Sequence, residues 1–288
     1  MLQDNEKVGV FIVGAPKAGT STLYHFLDGH PDVAMSEIKE PNYFSSAETM
    51  ELYSGTEFRH IHTSILSEED YHKLFPTSRK LYGEASVSYL FYENVAERIK
   101  TYNSDAKIII CLRDPVERAF SHYQMDQRLG LTTKSFMESI NTPESVEYQQ
   151  YVLTGEYSKQ VERYLNNFDE DNVLVIWFED LKQKPGTVRC SLCEFLEIRQ
   201  HEDKLGHKNS VKHSSNPLIM WVYRSALMRK LLKKTLPKNY VTRIKKNLFS
   251  SKSNISLAPD EESYLRDILR NDVVKLEQYL GKDLGHWM

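Results

Sequence analysis

Residues 11–23 read Phe11-Ile12-Val13-Gly14-Ala15-Pro16-Lys17-Ala18-Gly19-Thr20-Ser21-Thr22-Leu23. The apolar run of residues 8–13 ends in a loop that carries two glycines, and a helix-forming run begins at or just after Thr20. A strand, a loop and a helix N-terminus in this order direct backbone N–H groups at an anion, and the helix dipole favours negative charge there. The stretch therefore predicts a phosphate-binding loop at the end of a strand.

The position of the lysine separates this loop from the usual nucleoside-triphosphate loop. The spacing from Gly14 to Gly19 fits a P-loop, but the Walker pattern then requires a lysine followed by serine or threonine. Here Thr20 and Ser21 follow Gly19, and the lysine stands earlier, at Lys17. We therefore expect a phosphate site in which the lysine that normally contacts the terminal phosphates of a nucleoside triphosphate stands at a different position in the loop.

The remaining pattern predicts an α/β fold. Strand-like apolar runs occupy residues 8–13, 107–112 and 172–178, with a weaker run at 31–35. Helix-compatible segments lie at residues 21–28, 88–101, 115–129, 157–167 and 181–196. Strands that alternate with helices indicate a P-loop-like three-layer domain in which helices flank a central, mostly parallel sheet. Because neither a repeat nor a clear linker interrupts residues 1–288, we expect a single domain.

Two segments depart from this alternation. Residues 47–76 are polar and irregular, which predicts a variable, lid-like loop. Residues 204–259 contain 13 Lys and Arg and no Asp or Glu, whereas the other 232 residues hold 24 basic and 40 acidic side chains, a balance of −16. Within this basic segment, residues 217–236 have the spacing of an amphipathic helix. A last helix, which residues 257–262 open, runs from there to about Leu280. Such charge asymmetry predicts an anionic partner.

Composition narrows the class of protein. Hydrophobic residues make up 40% and charged residues 27% of the chain, which is typical of a soluble globular protein. No window approaches the roughly 18 apolar residues that a membrane span needs, and residues 1–7 lack the pattern of a secretory signal. The three cysteines, Cys111, Cys190 and Cys193, show neither a disulfide nor a metal-binding pattern. We therefore expect a reduced, cytoplasmic location.

A second anion-binding pattern lies where another strand ends. Arg113 follows the apolar run of residues 107–112, and Asp114 and Pro115 read as an N-cap and the first residue of a helix. Ser121 lies two helical turns further on. Open α/β sheets bind ligands at the carboxyl ends of their strands. An arginine fork with a hydroxyl there suits a phosphate monoester.

At these residues the chain resembles the sulfotransferases that use 3′-phosphoadenosine 5′-phosphosulfate (PAPS), in the carbohydrate branch of heparan-sulfate enzymes and their bacterial relatives. Residues 16–22 match the family's 5′-phosphosulfate loop, and Arg113 with Ser121 matches its 3′-phosphate motif. The stretch Lys39-Glu40-Pro41-Asn42-Tyr43-Phe44 is similar to the segment that supplies a catalytic glutamate, and residues 280–287 resemble the end of many bacterial members.

The resemblance implies a role for each matching residue. Glu40 would be the general base and Lys17 a catalytic cation near the leaving group. Lys212 would close the nucleotide site from a late basic loop that here lacks the family's arginine. The implied PAPS-binding residues are Pro16, Lys17, Ala18, Gly19, Thr20, Ser21, Thr22, Arg113, Ser121 and Lys212. The terminal sulfate of PAPS carries one charge rather than two, so we expect neither a Walker lysine nor a metal to be needed.

The family pattern is not followed everywhere. Asn42 stands where many relatives carry a histidine two places after the glutamate, and Ala85 stands where heparan-sulfate enzymes place a lysine. His122, beside Ser121, is predicted to point elsewhere on its helix, in a packing or surface position. The aromatic residues Tyr43, Phe44, Tyr89 and Phe91 are predicted to lie in the core rather than to form a sugar platform.

These features predict an O-sulfotransferase that acts on a carbohydrate or glycolipid hydroxyl. Peripheral membrane contact through the basic segment is compatible with a glycolipid acceptor. One alternative is an ATP-dependent P-loop small-molecule kinase, disfavoured because Thr20 occupies the Walker lysine position. The other is a non-catalytic protein that binds anionic glycans. A nucleic-acid partner is disfavoured because the rest of the chain is strongly acidic.

Overall fold

The computed structural model describes residues 6–52, 54, 65–76, 78–201 and 256–288. Within them, five parallel strands form one sheet in the order β2-β3-β1-β4-β5. The strands are β1 (Val10–Gly14), β2 (Val33–Met35), β3 (Leu81–Ala85), β4 (Lys107–Leu112) and β5 (Val173–Trp177). The predicted α/β class with a parallel sheet is confirmed.

Helices flank the sheet. Those that follow β1 and β2 are α1 (Thr20–Asp28), α2 (Ser46–Leu52) and α3 (Glu68–His72). The middle of the chain forms α4 (Val95–Tyr102), α5 (Pro115–Leu129), α6 (Phe136–Ile140), α7 (Val146–Tyr151) and α8 (Tyr157–Asn167). The remaining described helices are α9 (Phe178–Gln183), α10 (Pro185–Phe195) and α11 (Pro259–Leu280). None of the described helices is long and apolar enough to cross a membrane.

The central strands are apolar throughout because both faces of the sheet are covered. All five residues of β1 are buried, as are the last five of the six in β4. In the sheet register, Phe11 of β1 lies beside Glu84 of β3 on one side and Ile108 of β4 on the other. A second, smaller cluster of buried apolar side chains joins α5, α6, α7 and α11. The parallel arrangement places the carboxyl ends of β1, β3 and β4 at one edge.

Several sequence predictions need correction. The sequence suggested no strand at residues 81–85, yet β3 lies there between β1 and β2. The single helix expected at residues 181–196 is two helices, because Pro185 lacks the N–H to continue α9 and begins α10 instead. The helix expected from residue 88 begins at Val95. The variable loop, residues 47–76, is not wholly irregular, since it contains most of α2 and all of α3.

Candidate active site

A cavity of about 450 Å³ opens at the edge where β1 and β4 end. It is lined by most of the residues that the sequence singled out, namely Pro16, Lys17, Gly19, Thr20, Ser21, Thr22, Glu40, Arg113 and Ser121. Ala18 belongs to the same loop but is fully buried and is not among the lining residues. Lys212 and most of the basic segment lie outside the described residues. The structure therefore brings the two predicted anion-binding motifs and Glu40 to one place.

Gly19 shapes the loop between β1 and α1. It is the N-cap of α1 with φ 97°, and no side chain caps the first turn of the helix. A Cβ at this position would lie 2.7 Å from Leu181 Cδ2 and 3.1 Å from Phe178 Cδ2. The loop is also tied to β4, since the Ala15 N–H donates to the Cys111 carbonyl at 2.7 Å. The Thr22 N–H donates to the Gly19 carbonyl at 2.8 Å, so the N–H groups of Thr20 and Ser21 are the ones that can bind a ligand.

Lys17 is a cation of the cavity with a strongly lowered pKa. Its backbone is left-handed, with φ 66°, and its Nζ lies 3.5 Å from Met125 Sδ. The pKa of Lys17 is lowered to about 8, first by burial and then by the nearby charges of Arg128 and Arg113, whereas Asp126 and Glu40 act in the opposite direction. A buried ammonium among other cations is stabilised when an anion binds beside it.

Arg113 is held from several sides. Its guanidinium lies over the Phe178 ring, 4.6 Å from the centroid, and its Nη2 is 2.9 Å from Glu117 Oε2. Its Nη1 donates to the Lys17 carbonyl at 3.3 Å, and its own carbonyl accepts from the Tyr157 hydroxyl at 3.0 Å. The arginine therefore connects the end of β4 directly to the loop after β1.

The turn after Arg113 is capped as predicted and braced by α11. Asp114 Oδ1 accepts from the N–H groups of Val116 and Glu117 at 2.8 and 3.0 Å, with Pro115 at the start of α5. Arg266 of α11 donates to Asp114 Oδ2 at 3.1 Å and to the Trp287 carbonyl at 2.8 Å. The end of the chain thus supports the anion-binding turn.

Glu40 presents a partly exposed carboxylate to the cavity. Its side chain is 40% exposed, and its Oε1 lies 2.5 Å from Lys39 Nζ. Its backbone is left-handed, with φ 63°, and so is that of Asn42, with φ 53°. The Glu40 N–H donates to the Ala85 carbonyl at 2.9 Å, which attaches the segment to the end of β3. Lys39 also lines the cavity, although no sequence motif assigned it a role.

Other side chains were missed or misplaced by the sequence reasoning. The prediction that His122 points elsewhere is wrong, because both Ser121 and His122 line the cavity. His122 nevertheless packs as expected, against the Tyr151 ring at 5.6 Å. Phe44 and Tyr89 are buried in the core as predicted, whereas Phe91 lines the cavity.

Two buried carboxylates that do not line the cavity are the least predictable feature around the site. Burial raises the pKa of Glu84 to about 7 and that of Asp126 to about 6. Asp126 accepts from the Tyr151 hydroxyl at 2.8 Å. Tyr71 of α3 donates to Glu84 and Tyr151 of α7 donates to Asp126, a signal that no local sequence pattern carries.

The arrangement suits a ligand with two anionic groups. An uncapped helix N-terminus with Lys17 forms one cradle, and Arg113 with Ser121 forms another beside it. The described residues contain no group of three or more His, Cys, Asp or Glu side chains that could hold a metal ion. Glu40 adds a carboxylate that could accept a proton at the same cavity.

Comparisons with known proteins agree with this interpretation. The profile of the sulfotransferase domain family matches residues 8–251. Bifunctional heparan sulfate N-deacetylase/N-sulfotransferase 4 of Mus musculus is 30% identical over 203 residues, which covers 66% of this chain and 22% of that protein. The chain thus spans about a fifth of the length of the curated relatives it matches first.

Solved structures extend the likeness to the fold. The crystal structure of a sulfotransferase from Alicyclobacillus acidocaldarius is 31% identical and covers 98% of each chain, with a TM-score of 0.72. Mouse sulfotransferase SULT7A1, complexed with PAP (3′-phosphoadenosine 5′-phosphate), covers 96% of this chain and 90% of its own, with a TM-score of 0.52. Its identity of 15% makes it a likeness of fold alone.

Proposed function

This chain belongs to the sulfotransferase family, and on that basis we propose that it moves a sulfuryl group from PAPS to a hydroxyl of a carbohydrate or glycolipid acceptor. One observation carries the proposal. The loop after β1 and Arg113 after β4 meet at a single cavity and are joined by the hydrogen bond from Arg113 to the Lys17 carbonyl. PAPS has anionic groups at both the 5′ and the 3′ position, which matches two adjacent cradles.

The residues of the first cradle would hold the 5′-phosphosulfate. Backbone N–H groups of α1 and the hydroxyls of Thr20, Ser21 and Thr22 can donate to phosphate oxygens. The Lys17 ammonium would neutralise the charge that develops on the leaving oxygen. When bound, PAPS supplies the sulfuryl group itself.

The second cradle would hold the 3′-phosphate. The guanidinium of Arg113 offers several N–H donors in a fixed plane, and Ser121 can add a hydroxyl from α5. The ring of Phe178 and the carboxylate of Glu117 hold the arginine in place. The contact from Lys212 stays a prediction.

Glu40 would accept the proton of the acceptor hydroxyl. Its carboxylate lines the cavity with Lys17 and is open to solvent, so an acceptor can reach it. A general base must lie within hydrogen-bond reach of the proton that it removes. Lys39 would hold the carboxylate until the acceptor arrives.

The test of this function is transfer of radiolabelled sulfate from PAPS across a panel of glycans and glycolipids. Glu40→Gln should bind PAP as the native protein does but turn over about 10²- to 10⁴-fold more slowly, the usual contribution of a general base. Glu37→Gln, an exposed carboxylate on the same segment, is the matched control and should keep its turnover. Near-normal turnover of the Glu40 variant would remove that residue from the mechanism.

The acceptor class is proposed from the relatives. The heparan sulfate enzymes are named for transfer to nitrogen, so the panel should include a polysaccharide with free amino groups beside those with hydroxyls only.

Peripheral membrane contact through the basic segment, and the cytoplasmic location, stay predictions. Co-sedimentation with anionic liposomes at low salt tests the membrane contact.

A further inference from the structure

Glu84 is a fully buried carboxylate near the carboxyl end of β3, next to the segment that carries Glu40. Three hydroxyls donate to it. Those of Tyr71 and Tyr89 each lie 2.8 Å from Oε1, and that of Ser86 lies 2.7 Å from Oε2. Among the described ion pairs, none involves Glu84. Its charge is therefore stabilised by oriented hydroxyls rather than by a cation.

Two of these hydroxyls make a second contact on the segment of residues 40–44. The Ser86 hydroxyl accepts from the Asn42 N–H at 3.1 Å, and the Tyr89 hydroxyl accepts from the Phe44 N–H at 3.2 Å. An ionised carboxylate only accepts hydrogen bonds, so each hydroxyl must direct its proton at Glu84. That orientation leaves the hydroxyl lone pairs of Ser86 and Tyr89 to the backbone.

The segment needs such support because of its conformation. Glu40 and Asn42 both have φ in the left-handed region, which costs on the order of 1–3 kcal/mol at a non-glycine residue and persists only where the surroundings impose it. The Asn42 side chain helps, since it donates to the Glu40 carbonyl at 2.9 Å and accepts from Ser88 at 2.7 Å.

We propose that Glu84 is a positioning residue that fixes the backbone of residues 40–44 through Ser86 and Tyr89, and thereby aims the Glu40 carboxylate into the cavity. The effect on turnover rests on the proposed function, in which Glu40 is the base. Glu84 does not line the cavity and acts only through its hydroxyl partners.

The pKa of Glu84 is consistent with this role. Burial raises it to about 7, while the bonds from Ser86, Tyr71 and Tyr89 oppose that rise. Protonation would turn one carboxyl oxygen into a donor, so that one of the three hydroxyls could no longer point its proton at it. The carboxylate form is the one that orders all three.

The two tyrosines provide a matched test. Each is fully buried and donates to the same oxygen of Glu84 at the same distance, but only Tyr89 relays the bond to the 40–44 backbone. Tyr89→Phe should lower kcat about 10- to 100-fold, since small displacements of catalytic groups have effects of this size, with PAP affinity within about threefold. Both variants are assayed with saturating PAPS well above pH 7, so that Glu84 stays ionised with one donor fewer. Under these conditions Tyr71→Phe should leave kcat within about threefold.

Hydrogen exchange gives a readout that does not depend on activity. The Phe44 amide should exchange faster in Tyr89→Phe than in Tyr71→Phe, and the Asn42 amide should exchange faster in Glu84→Gln than in the native protein. Equal exchange and equal kcat in the two tyrosine variants would overturn the proposal. If the native protein transfers no sulfate, the proposed function fails while the exchange result still decides the role of Glu84.

Discussion

Lys17 and Arg113 share one cavity but are held in different ways. The Lys17 ammonium is largely buried beside Met125, and its pKa falls to about 8. The Arg113 guanidinium is stacked on Phe178 and paired with Glu117. Because guanidinium stays protonated at any accessible pH, Lys17 alone of this pair titrates near neutrality. The two cations should therefore contribute differently as pH changes.

The affinity for PAP should fall as pH rises through about 8. Below that pH the free protein already carries the Lys17 ammonium; above it, binding must first take up a proton, because the lowered pKa leaves the amine neutral. Linkage then gives a loss of up to about tenfold in affinity per pH unit. Titration of PAP between pH 7 and 9.5 measures this loss.

Lys17→Met provides the control for that titration. This variant should bind PAP weakly at every pH and should lack the decline above pH 8, since no group at position 17 is left to titrate. A native affinity that is flat across the range would contradict the role of Lys17 in holding the anion.

At the scale of elements, the loop from β1 to α1 depends on Gly19. Gly19→Ala should reduce the free energy of unfolding by about 1–3 kcal/mol, because its φ of 97° strains any residue with a Cβ. The added Cβ would also meet Leu181 of α9 at 2.7 Å. Denaturant unfolding measures the loss, and PAP titration should show weaker binding.

Gly186→Ala is the matched control for this substitution. Gly186 lies in α10, where an added Cβ would point into open space with no neighbouring group within 4 Å. Its replacement should leave stability unchanged or raise it by up to about 1 kcal/mol, because alanine has less chain entropy to lose. A Gly19 variant as stable as the Gly186 variant would show that the left-handed cap is not required.

The elements that the sequence predicted well are those whose ends are marked by nearby capping residues. β4 and α5 have the predicted bounds, since an apolar run ends where Asp114 and Pro115 cap a helix. β3 was missed because Gly83 and Glu84 interrupt its apolar pattern. Glu84 is tolerated there because the hydroxyls of Tyr71, Ser86 and Tyr89 donate to it, and the position of Tyr71 depends on the tertiary fold.

At the scale of the whole molecule, the end of the chain stabilises the anion-binding edge. Trp287 is 1% exposed and packs against Trp177 of β5 and Tyr157 of α8, with ring centroids 5.6 and 6.3 Å away. Its carbonyl accepts from Arg266, which also holds Asp114. The residues that close the core therefore also support the turn after Arg113.

Trp287→Ala should lower the free energy of unfolding by about 3–5 kcal/mol, the usual loss for removing a buried tryptophan. Tyr279→Ala, on the exposed face of α11, should change it by only about 0.5 kcal/mol. Denaturant unfolding of both variants measures the difference. Equal stabilities would show that the end of the chain is not part of the core.

The site itself was predictable where motifs lie in continuous sequence. Lys17, Glu40, Arg113 and Ser121 each belong to a short pattern, and the parallel sheet brings the patterns to one cavity. The support behind them was not predictable, because it depends on Tyr71 of α3, which donates to Glu84 from another element. Lys212 and the anionic partner of the basic segment stay predictions.

The central claim is that this cavity recognises a nucleotide by its 3′-phosphate. Calorimetric titration with PAP and with ATP–Mg²⁺ tests it without knowledge of the acceptor. PAP should bind about 10- to 100-fold more tightly, the worth of charge-assisted hydrogen bonds to the 3′-phosphate that ATP lacks, and Arg113→Ala should abolish the preference. Equal affinities in the native protein, or a preference that survives loss of Arg113, would contradict this claim.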